Sequence, residues 1–305
     1  MADEALSGSR VAIIGLGLMG GSLGLALRAG AGGERLAASV TGYDRAPEVT
    51  ARAVARGALD RACASLAEVA RDADLLVIAT PTLAAEDALR ALAGNLRPGA
   101  VVTDLCSVKG RLVALAASLG PNLARRYVGG HPMAGSERAG IEAATANLYR
   151  GARWALTPTV ATDPDALARV RALVAALGAE VIALDAAAHD SAVAGISHLP
   201  LALAVALTRA LAEDADWPTL AALAAGGYRD ATRVAAGDPL MGRDMLLANR
   251  VALLARLDTF SAALAELRAA LERGDAAAVE AALRAAQRER LAWEDSRRHS
   301  AGDAL

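Results

Sequence analysis

Residues 11–27 read VAIIGLGLMGGSLGLAL, and this stretch decides the fold. It opens with a short apolar run that is typical of a strand buried on both faces. The chain then turns at GLGLMG, residues 15–20, and continues with the apolar spacing of a helix. In such a unit the three glycines allow a tight turn, approach of a pyrophosphate and close helix packing. The predicted cofactor contacts are Gly15, Gly17, Leu18, Met19 and Gly20.

A second feature points to the same cofactor class. Residues 38–44, ASVTGYD, predict the next strand, which ends at Asp44. A carboxylate at this distance from the glycines accepts hydrogen bonds from the ribose hydroxyls of NAD and repels the extra phosphate of NADP. Arg45 follows directly and is placed to stack on adenine or, alternatively, to tolerate that phosphate. The pair favours NAD, and the alternative is a glycine-rich turn that binds no cofactor.

Strands and helices alternate through the first half of the chain. This order predicts a parallel sheet of the Rossmann type, doubly wound, with helices on both faces. The predicted strands after residue 44 are 74–79, 99–104, 127–130, 153–158 and 180–184, and the predicted helices are 47–57, 83–96, 109–119 and 165–177. Ligands bind beyond the carboxyl ends of such strands, so the glycine turn, Thr80-Pro81 and residues 104–109 should converge.

From about residue 186 the strand patterns stop. Apolar residues at three- and four-residue spacing predict helices at 189–211, 217–225, 228–235, 241–271 and 276–293. Several of these helices carry more apolar surface than one packed layer needs, which indicates burial between subunits. We therefore expect an NAD-binding Rossmann-type domain at 1–186, followed by an all-helical dimerisation and substrate domain at 187–305, in a homodimer.

Composition excludes several classes of protein. The formal net charge of −2 gives no basic surface for nucleic acid or an anionic membrane. No apolar run has the length of a membrane span, and the first residues lack the layout of a signal peptide. Cys63 and Cys106 fit a reduced compartment and have no spacing for a disulfide framework or a metal. We expect a soluble cytoplasmic protein with no metal site.

Three polar residues lie at the predicted ligand edge. Ser107 precedes a helix and is either its N-cap or a catalytic group. Lys109 is the only lysine among 32 basic residues, which indicates a need for a compact ammonium group unless chance preserved it. His131 precedes a proline, which favours extended backbone, and projects from a strand end as either a functional or a hydrogen-bonded structural histidine.

The helical half adds two candidates. His198 lies in an apolar helix just before a proline, where a lone histidine is more often a core residue than a ligand. Asp230 and Arg233 follow a pair of glycines at a spacing that puts both on one helix face. They form either a surface ion pair or, if Arg233 points into a cleft, a bidentate clamp for a carboxylate.

Five motifs in this order resemble the prephenate and arogenate dehydrogenases of tyrosine biosynthesis, over about residues 10–293. The motifs are GLGLMGGSL at the cofactor turn, TDLCSVKG at 103–110, GGHPMAGSE at 129–137, ISHLP at 196–200 and GGYRDATR at 226–233. The resemblance implies an oxidative decarboxylation, in which a carbinol carbon loses a hydride to NAD while a ring carboxylate leaves as CO₂. It implies an NAD-binding domain followed by a helical domain through which two subunits associate.

The resemblance also implies roles for individual residues. His131 matches the catalytic histidine, which accepts the hydroxyl proton, and Ser107 matches the serine that orients the same hydroxyl. The remaining assignments are Arg233 for a substrate carboxylate, His198 as a donor to substrate, Asp230 as support for Arg233, Ser136 and Glu137 at the entrance, and Lys109 as electrostatic support near the cofactor. His131 is expected to face Arg233 across a cleft that holds a small dianion.

The substrate is prephenate by preference, with arogenate, or both as in a cyclohexadienyl dehydrogenase, as the alternative. A β-hydroxyacid dehydrogenase or an imine reductase is another two-domain possibility, but the former relies on a lysine in its helical domain and this chain has none after Lys109. A non-catalytic NAD(H)-binding, redox-sensing dimer is the alternative of a different class. Such a protein would have no reason to keep His131, Ser107 and Arg233 together.

Overall fold

The computed structural model describes residues 4–29, 34–135 and 138–302. The chain divides into two compact units, Met1–Leu253 and Leu254–Leu305. The first unit contains the whole sheet, and the second contains most of the last two helices. The domain boundary predicted at residues 186 and 187 falls inside the first unit and stays a prediction.

Eight strands form one sheet in the described part of the chain, in the order β3-β2-β1-β4-β5-β6-β7-β8. Their bounds are β1 Arg10–Ile14, β2 Ser39–Tyr43, β3 Arg61–Ala62, β4 Leu75–Ile78, β5 Val101–Asp104, β6 Tyr127–Pro132, β7 Arg153–Thr157 and β8 Glu180–Ala183. The first six follow the 3-2-1-4-5-6 order of dinucleotide-binding folds, which confirms the predicted class. The sheet departs from the predicted parallel arrangement at one junction, since β7 runs antiparallel to β6.

Strand β1 lies at the centre of the sheet and shows why the chain is doubly wound. It pairs in parallel with β2 on one side and with β4 on the other. Ile13 packs into the hydrophobic core on one face, whereas its neighbour Ile14 packs into the core on the opposite face. Because both faces are buried, the strand reads as a continuous apolar run rather than as an alternating one.

Eight helices accompany these strands within the described residues before position 184. They are α1 Glu4–Ser7, α2 Leu18–Ala29, α3 Pro47–Ala55, α4 Leu66–Asp72, α5 Thr82–Leu92, α6 Gly110–Ser118, α7 Pro121–Arg126 and α8 Pro164–Ala176. Sequence patterns did not predict α1, α4 and α7, because their four to seven residues are too few to show helical periodicity.

The remaining helices follow β8 without further strands in the described residues. They are α9 Ala186–Val193, α10 Leu199–Ala212, α11 Trp217–Leu223, α12 Gly226–Thr232, α13 Pro239–Ala248, α14 Arg250–Glu272 and α15 Ala276–Gly302. The helix predicted at 189–211 is interrupted by a π-helical turn, Ala194–His198, and the one predicted at 241–271 breaks at Asn249.

The π-helical turn has a local cause. Pro200 has no N–H group and cannot donate to the carbonyl four residues before it. The preceding N–H group, that of Leu199, donates to the carbonyl of Ala194 five residues before it, which widens the turn by one residue. Turns of this kind are frequent at functional sites because they rotate the side chains that follow. Here the turn contains Ser197 and ends at His198.

The joined helices Ala186–Ala212 are by length and composition apolar enough to cross a bilayer, and in their apolar 18-residue stretch the mean hydropathy is 1.6 and only 22% is buried. The expectation that no stretch has this length is therefore wrong, since three helical segments join end to end. The run nevertheless holds polar groups that bond to the sheet-bearing part of the molecule. Asp190 accepts hydrogen bonds from the backbone of Lys109 and Gly110, which indicates a helix packed on protein.

Candidate active site

The glycine turn between β1 and α2 adopts the geometry that the sequence predicts. Gly15 has a φ of +89°, which L-residues rarely adopt, and its N–H donates to the carbonyl of Tyr43. A Cβ at Gly20 would lie 1.9 Å from the carbonyl oxygen of Gly15, so only glycine lets α2 begin this close to the turn. A Cβ at Gly17 would meet nothing within 4 Å, because Gly17 faces an open cavity.

Asp44 lies directly after β2 and contacts the same turn. Its Oδ2 accepts a hydrogen bond from the backbone of Leu16 at 2.8 Å, and its Oδ1 accepts one from Ala46 at 3.0 Å. The carboxylate is half-buried at the carboxyl edge of the sheet. Each of its oxygens keeps a further lone pair for a ligand hydroxyl. Arg45 is exposed beside it.

A cavity of about 370 Å³ opens at the carboxyl ends of β1, β4, β5 and β6. It brings together seven residues that the sequence predicts in the site: Gly17, Leu18, Met19, Thr80, Pro81, Ser107 and His131. The hydroxyl oxygen of Thr80 is buried here without a hydrogen-bond partner in the described ranges 4–29, 34–135 and 138–302. An unpaired buried hydroxyl in the wall is the kind of group that a polar ligand satisfies.

A second cavity of about 580 Å³ continues from the first. The two share lining residues, which are Gly135, Ser197, Asp238, Met241 and Met245. Arg233 lines the second cavity and His131 the first, so both expected groups reach one connected space. Most of the shared wall comes from the π-helical turn and from α13 with the residue before it.

His131 lies at the end of β6 and is half-buried. Its Nδ1 is 2.9 Å from Nε2 of His189, and Nδ1 of His189 is 2.8 Å from Oδ1 of Asp190. Burial, together with the nearby ammonium group of Lys109 and the imidazoles of His189 and His198, holds the pKa of His131 well below its usual value. The imidazole is therefore neutral at neutral pH and can accept a proton.

Asp190 lies on α9 and is largely buried beside the first turn of α6. Burial by itself raises the pKa of this carboxyl group. The hydrogen bonds from His189 and from the backbone N–H groups of Lys109 and Gly110 outweigh that effect, and the pKa is lower than usual. Asp190 is therefore an ionised carboxylate that accepts three hydrogen bonds.

His198 is completely buried at the end of the π-helical turn. Burial lowers the pKa of its imidazole to about 4, an effect that the nearby Asp190 opposes. The side-chain amide of Asn249 donates to the backbone carbonyl of Asp190 and lies 3.1 Å from Nδ1 of His198. Nδ1 is therefore an acceptor, and the proton of the neutral ring sits on Nε2. This Nε2 is buried without a hydrogen-bond partner among the residues that the structure describes.

Lys109 does not lie where the sequence places it. Its ammonium group is fully buried, pairs with the equally buried Asp104, and donates to the carbonyl of Gly130 at 2.6 Å. The hydroxyl of Tyr127 donates to the same carboxylate, which with burial raises the pKa of Tyr127 well above its usual value. Lys109 is part of a structural ion pair between β5 and β6, and it does not line either cavity.

Ser107 does not cap α6. The N-cap position is Lys109, whose side chain does not cap the helix. The backbone N–H groups of Lys109 and Gly110 donate to the carboxylate of the distant Asp190. Ser107 is instead half-buried in the wall of the first cavity. Of the two alternatives for this serine, the structure therefore removes the cap.

Asp230 on α12 and Arg233 in the turn after it do not form the predicted pair. Asp230 is exposed, and its carboxylate pairs with the neighbouring Arg229 at 3.3 Å rather than in the predicted contact with Arg233. Arg233 begins a 3₁₀ turn, Arg233–Ala236, which changes the helical geometry between the two residues. The predicted entrance residues Ser136 and Glu137 lie outside the described residues.

Sequence reasoning missed five residues of this region, which are Arg138, Ser197, His189, Asp190 and Asn249. The first two line the cavities, and the others form the hydrogen-bonded cluster behind His131 and His198. Ser197 lies inside the motif ISHLP at 196–200, in which the sequence marks only His198 as a candidate. Nothing in the local pattern of His189, Asp190 or Asn249 marks them, because their partners are 51 to 81 residues away.

Comparison with known proteins agrees with this geometry. A family model described as the prephenate dehydrogenase nucleotide-binding domain matches residues 23–183, and one described as the dimerization domain matches residues 185–285. The prephenate dehydrogenase of Lactococcus lactis is 34% identical over 273 residues, which cover 89% of this chain and 73% of that protein.

Two solved structures are similar over almost the whole chain. Prephenate dehydrogenase from Aquifex aeolicus, crystallised with hydroxyphenyl propionate and NAD⁺, has a TM-score of 0.85 at 33% identity and covers 94% of this chain and 98% of its own. Arogenate dehydrogenase from Synechocystis has a TM-score of 0.78 at 33% identity, and the match covers 93% of this chain and 99% of that protein's chain.

Proposed function

Because the chain belongs to the prephenate dehydrogenase family, we propose that it catalyses the NAD-dependent oxidative decarboxylation of prephenate. The product is 4-hydroxyphenylpyruvate, a precursor of tyrosine. One observation carries the proposal: His131 and Ser107 line the same cavity as the glycine turn at Gly17. A cofactor whose phosphates lie on that turn can extend its nicotinamide along the cavity toward them.

The residues of the cavity fit NAD. Gly17 leaves open space in which a Cβ would stand, and Thr80, whose hydroxyl has no partner within the described residues, lines the same cavity. Asp44 presents a carboxylate beside the turn, which suits the two ribose hydroxyls of NAD and repels the phosphate of NADP. When bound, NAD supplies the acceptor for the hydride that leaves the carbinol carbon.

His131 acts on the proton of the same carbinol. Its neutral imidazole accepts the hydroxyl proton as the carbon–oxygen bond becomes a carbonyl. Prephenate is a dianion and NAD⁺ a cation, and together they give a monoanionic product, CO₂ and NADH with no net release of a proton. The proton on His131 therefore returns to the same oxygen when loss of CO₂ turns the ring into a phenol. Ser107 orients this hydroxyl.

The cationic and donor groups on the far side of the connected space bind the substrate. Arg233 holds the carboxylate that anchors it. The ring carboxylate should not be held tightly, because a strong ion pair in the ground state would oppose its departure as CO₂. His198 has a proton on a buried Nε2 for which the described part of the chain offers no partner, and this supports its role as a donor to substrate.

The helical half forms the interface of a homodimer. The matched dimerization model spans residues 185–285. Large apolar side chains on these helices are exposed in the single chain, among them Leu223 at 78% and Val251 at 76%. Association of two copies would remove such surface from water. Free Cys63 and Cys106 are in keeping with a reduced, cytoplasmic location.

One assay tests the proposal. Purified protein is mixed with NAD and prephenate, and separately with NAD and arogenate, and the absorbance of NADH is followed. We expect turnover with prephenate, and a lower kcat/KM with arogenate. Absence of turnover with both would refute the dehydrogenase assignment, and preference for arogenate would refute the substrate choice.

Two variants test the assigned roles. His131→Ala should lower kcat by about 10²- to 10⁴-fold with little change in substrate KM, because the variant lacks the proton acceptor. Asp44→Ala should weaken NAD binding and narrow the preference for NAD over NADP. Unchanged nucleotide discrimination in the second variant would refute the ribose contact.

A further inference from the structure

Behind His131 lies a hydrogen-bonded chain of two more side chains, and its role can be inferred if the proposed function holds. The chain runs from His131 through His189 to Asp190, with nitrogen–nitrogen and nitrogen–oxygen distances of 2.9 and 2.8 Å. His189 is 2% exposed, so water does not compete for either contact. This hydrogen-bonded series ends at Asp190, which accepts hydrogen bonds from the backbone N–H groups of Lys109 and Gly110 at the start of α6, both at 2.8 Å.

The donors and acceptors in this chain are fixed from its buried end. The backbone N–H groups of Lys109 and Gly110 can only donate, so Asp190 accepts on both of its oxygens. An ionised carboxylate has no proton to give, and Nδ1 of His189 must therefore carry the proton that joins them. If that proton is the only one on His189, its Nε2 is bare and can only accept.

The same logic passes to the next ring. Because Nε2 of His189 accepts, Nδ1 of His131 must donate to it. The single proton of neutral His131 is thus on Nδ1, and the lone pair is on Nε2. His131 lines the first cavity, so the nitrogen not used by His189 is the one left for a ligand.

We propose that His189 and Asp190 are positioning residues that hold His131 in the tautomer with a bare Nε2, and that the charge of Asp190 stabilises the imidazolium formed when that Nε2 takes the substrate proton. The arrangement resembles the buried carboxylate that fixes a histidine in hydrolytic triads, with one further imidazole in between. The group that accepts the proton is thereby prepared before the substrate arrives.

The other charged and titratable groups around His131 do not supply this stabilisation. Lys109 is a cation held by Asp104, and its field opposes a second positive charge on His131. The intervening His189, and His198 from the π-helical turn, also lower the pKa of His131. Of the anions in the described surroundings, Asp104 pairs with Lys109, and Asp238 in the cavity wall accepts hydrogen bonds from the first N–H groups of α13. Asp190 is the carboxylate that is hydrogen-bonded to the ring through His189.

Asp190 also ties the proton acceptor to Ser107. It binds the first N–H groups of α6, and Ser107 lies in the loop directly before that helix. The backbone and the imidazole chain therefore share one anchor. A change at Asp190 should disturb both the tautomer of His131 and the position of Ser107, whereas a purely structural cap would affect only stability.

The first test needs no enzymatic activity. The protein has four histidines in its whole sequence, so ¹⁵N spectra of the histidine rings are simple. The variants His131→Gln and His189→Gln assign the signals. At about pH 7.5 without ligand we expect the protonated nitrogen of both His131 and His189 to be Nδ1. A proton on Nε2 of His131, or a doubly protonated His189, would overturn the proposal.

The second test uses Asp190→Asn, with Asp185→Asn as its matched control. Asp185 is an exposed N-cap of the same helix, so the control makes the same chemical change without touching His131. We expect Asp190→Asn to lower kcat about ten- to a hundredfold with a small change in KM. The acid limb of kcat/KM should move to lower pH, because an imidazolium without the carboxylate is less stable.

The outcomes separate the inference from the proposed function. If Asp190→Asn loses stability but keeps kcat and the acid limb of the control, the pair is structural and the inference is wrong. If the wild-type protein turns over neither prephenate nor arogenate, the function fails, while the NMR result still decides whether the tautomer is fixed as proposed.

Discussion

The carboxylate of Asp190 caps a helix that begins 80 residues earlier, with Oδ2 2.8 Å from the backbone nitrogen of Gly110. An Asp at the end of a helix dipole is favourable, because it meets unpaired N–H groups and the positive end of the dipole. Here the cap comes from the first helix after the sheet. It therefore connects the loop that carries Ser107 to the segment that carries His189 and His198.

Two glycines of the cofactor turn should respond differently to alanine. Gly17→Ala places its Cβ in open space, so we expect an unchanged Tm but roughly tenfold weaker NAD binding. Gly20→Ala places its Cβ 1.9 Å from the oxygen of Gly15 and should cost about 1–3 kcal/mol or more. Thermal unfolding and NAD titration measure both. Equal loss of stability in the two variants would contradict the described turn.

Arg233→Ala should raise the KM for prephenate about ten- to a hundredfold with a smaller effect on kcat, because a charge-assisted contact to a carboxylate is lost. Arg229→Ala is the matched control, since Arg229 is exposed on the adjoining helix and pairs with Asp230. Steady-state kinetics at saturating NAD give both constants. A kcat defect with an unchanged KM would refute the assignment of Arg233.

Lys109→Met should destabilise the protein by about 3–5 kcal/mol, because it leaves the buried Asp104 without its counter-charge. Denaturant unfolding measures this loss. Adding Asp104→Asn removes the second charge and should recover part of it. Arg209→Met breaks an exposed pair with Glu213 and should cost less than about 1 kcal/mol.

The KM for NAD distinguishes this structural role from the cofactor contact that the sequence predicts. It should stay unchanged in the folded Lys109→Met, Asp104→Asn double variant. A large rise in that KM at wild-type stability would restore Lys109 to the cofactor site.

His198 should make stability depend on pH. The pKa of its imidazole is about 4 in the folded protein, below the ordinary value of 6.5. Between these two values the unfolded chain binds a proton that the folded chain does not, so stability falls as the pH drops from about 6.5 toward 4. His198→Gln removes this contribution. Urea unfolding at about pH 7.5 and pH 5 should show a smaller decrease in the variant than in the wild type.

His131 contributes in the same direction, since its pKa is also lowered, and some pH dependence should remain in the His198 variant. The comparison is therefore between slopes. If the variant and the wild type lose the same stability between the two pH values, His198 is not buried as a neutral group.

The sequence predicted much of the sheet because its signals are local. The turn at Gly15 and Gly20 needs backbone that only glycine allows, and the strands on either side are short apolar runs. The helical second half was predicted from equally local signals, because its apolar residues recur at three- and four-residue spacing. The short helices were not predicted because they have too few residues to show helical periodicity. The π-helical turn and the break at Asn249 were not predicted because each lies within an apolar pattern that continues across it.

Within the site, the motifs identified residues that reach the cavities, but they left the role of Ser107 open and misplaced the side chain of Lys109. Ser107 was left between cap and catalyst, and the structure removes the cap because the carboxylate of Asp190 accepts the hydrogen bonds of the N–H groups at the start of α6. Lys109 was expected near the cofactor, and the structure buries it against Asp104. Both differences depend on side-chain partners, Asp190 and Asp104, whose contacts are decided by the tertiary structure and cannot be seen in a local sequence pattern.

The sequence alone thus determined a strand–turn–helix unit for a dinucleotide, a helical second half, and the motifs that carry His131, Ser107 and Arg233. Tertiary structure alone decided that His189 and Asp190 stand behind His131, and that Lys109 stands inside the protein. The physical reason is range. Turns and periodic burial depend on neighbouring residues, whereas the proton on a histidine depends on hydrogen bonds between side chains 58 residues apart.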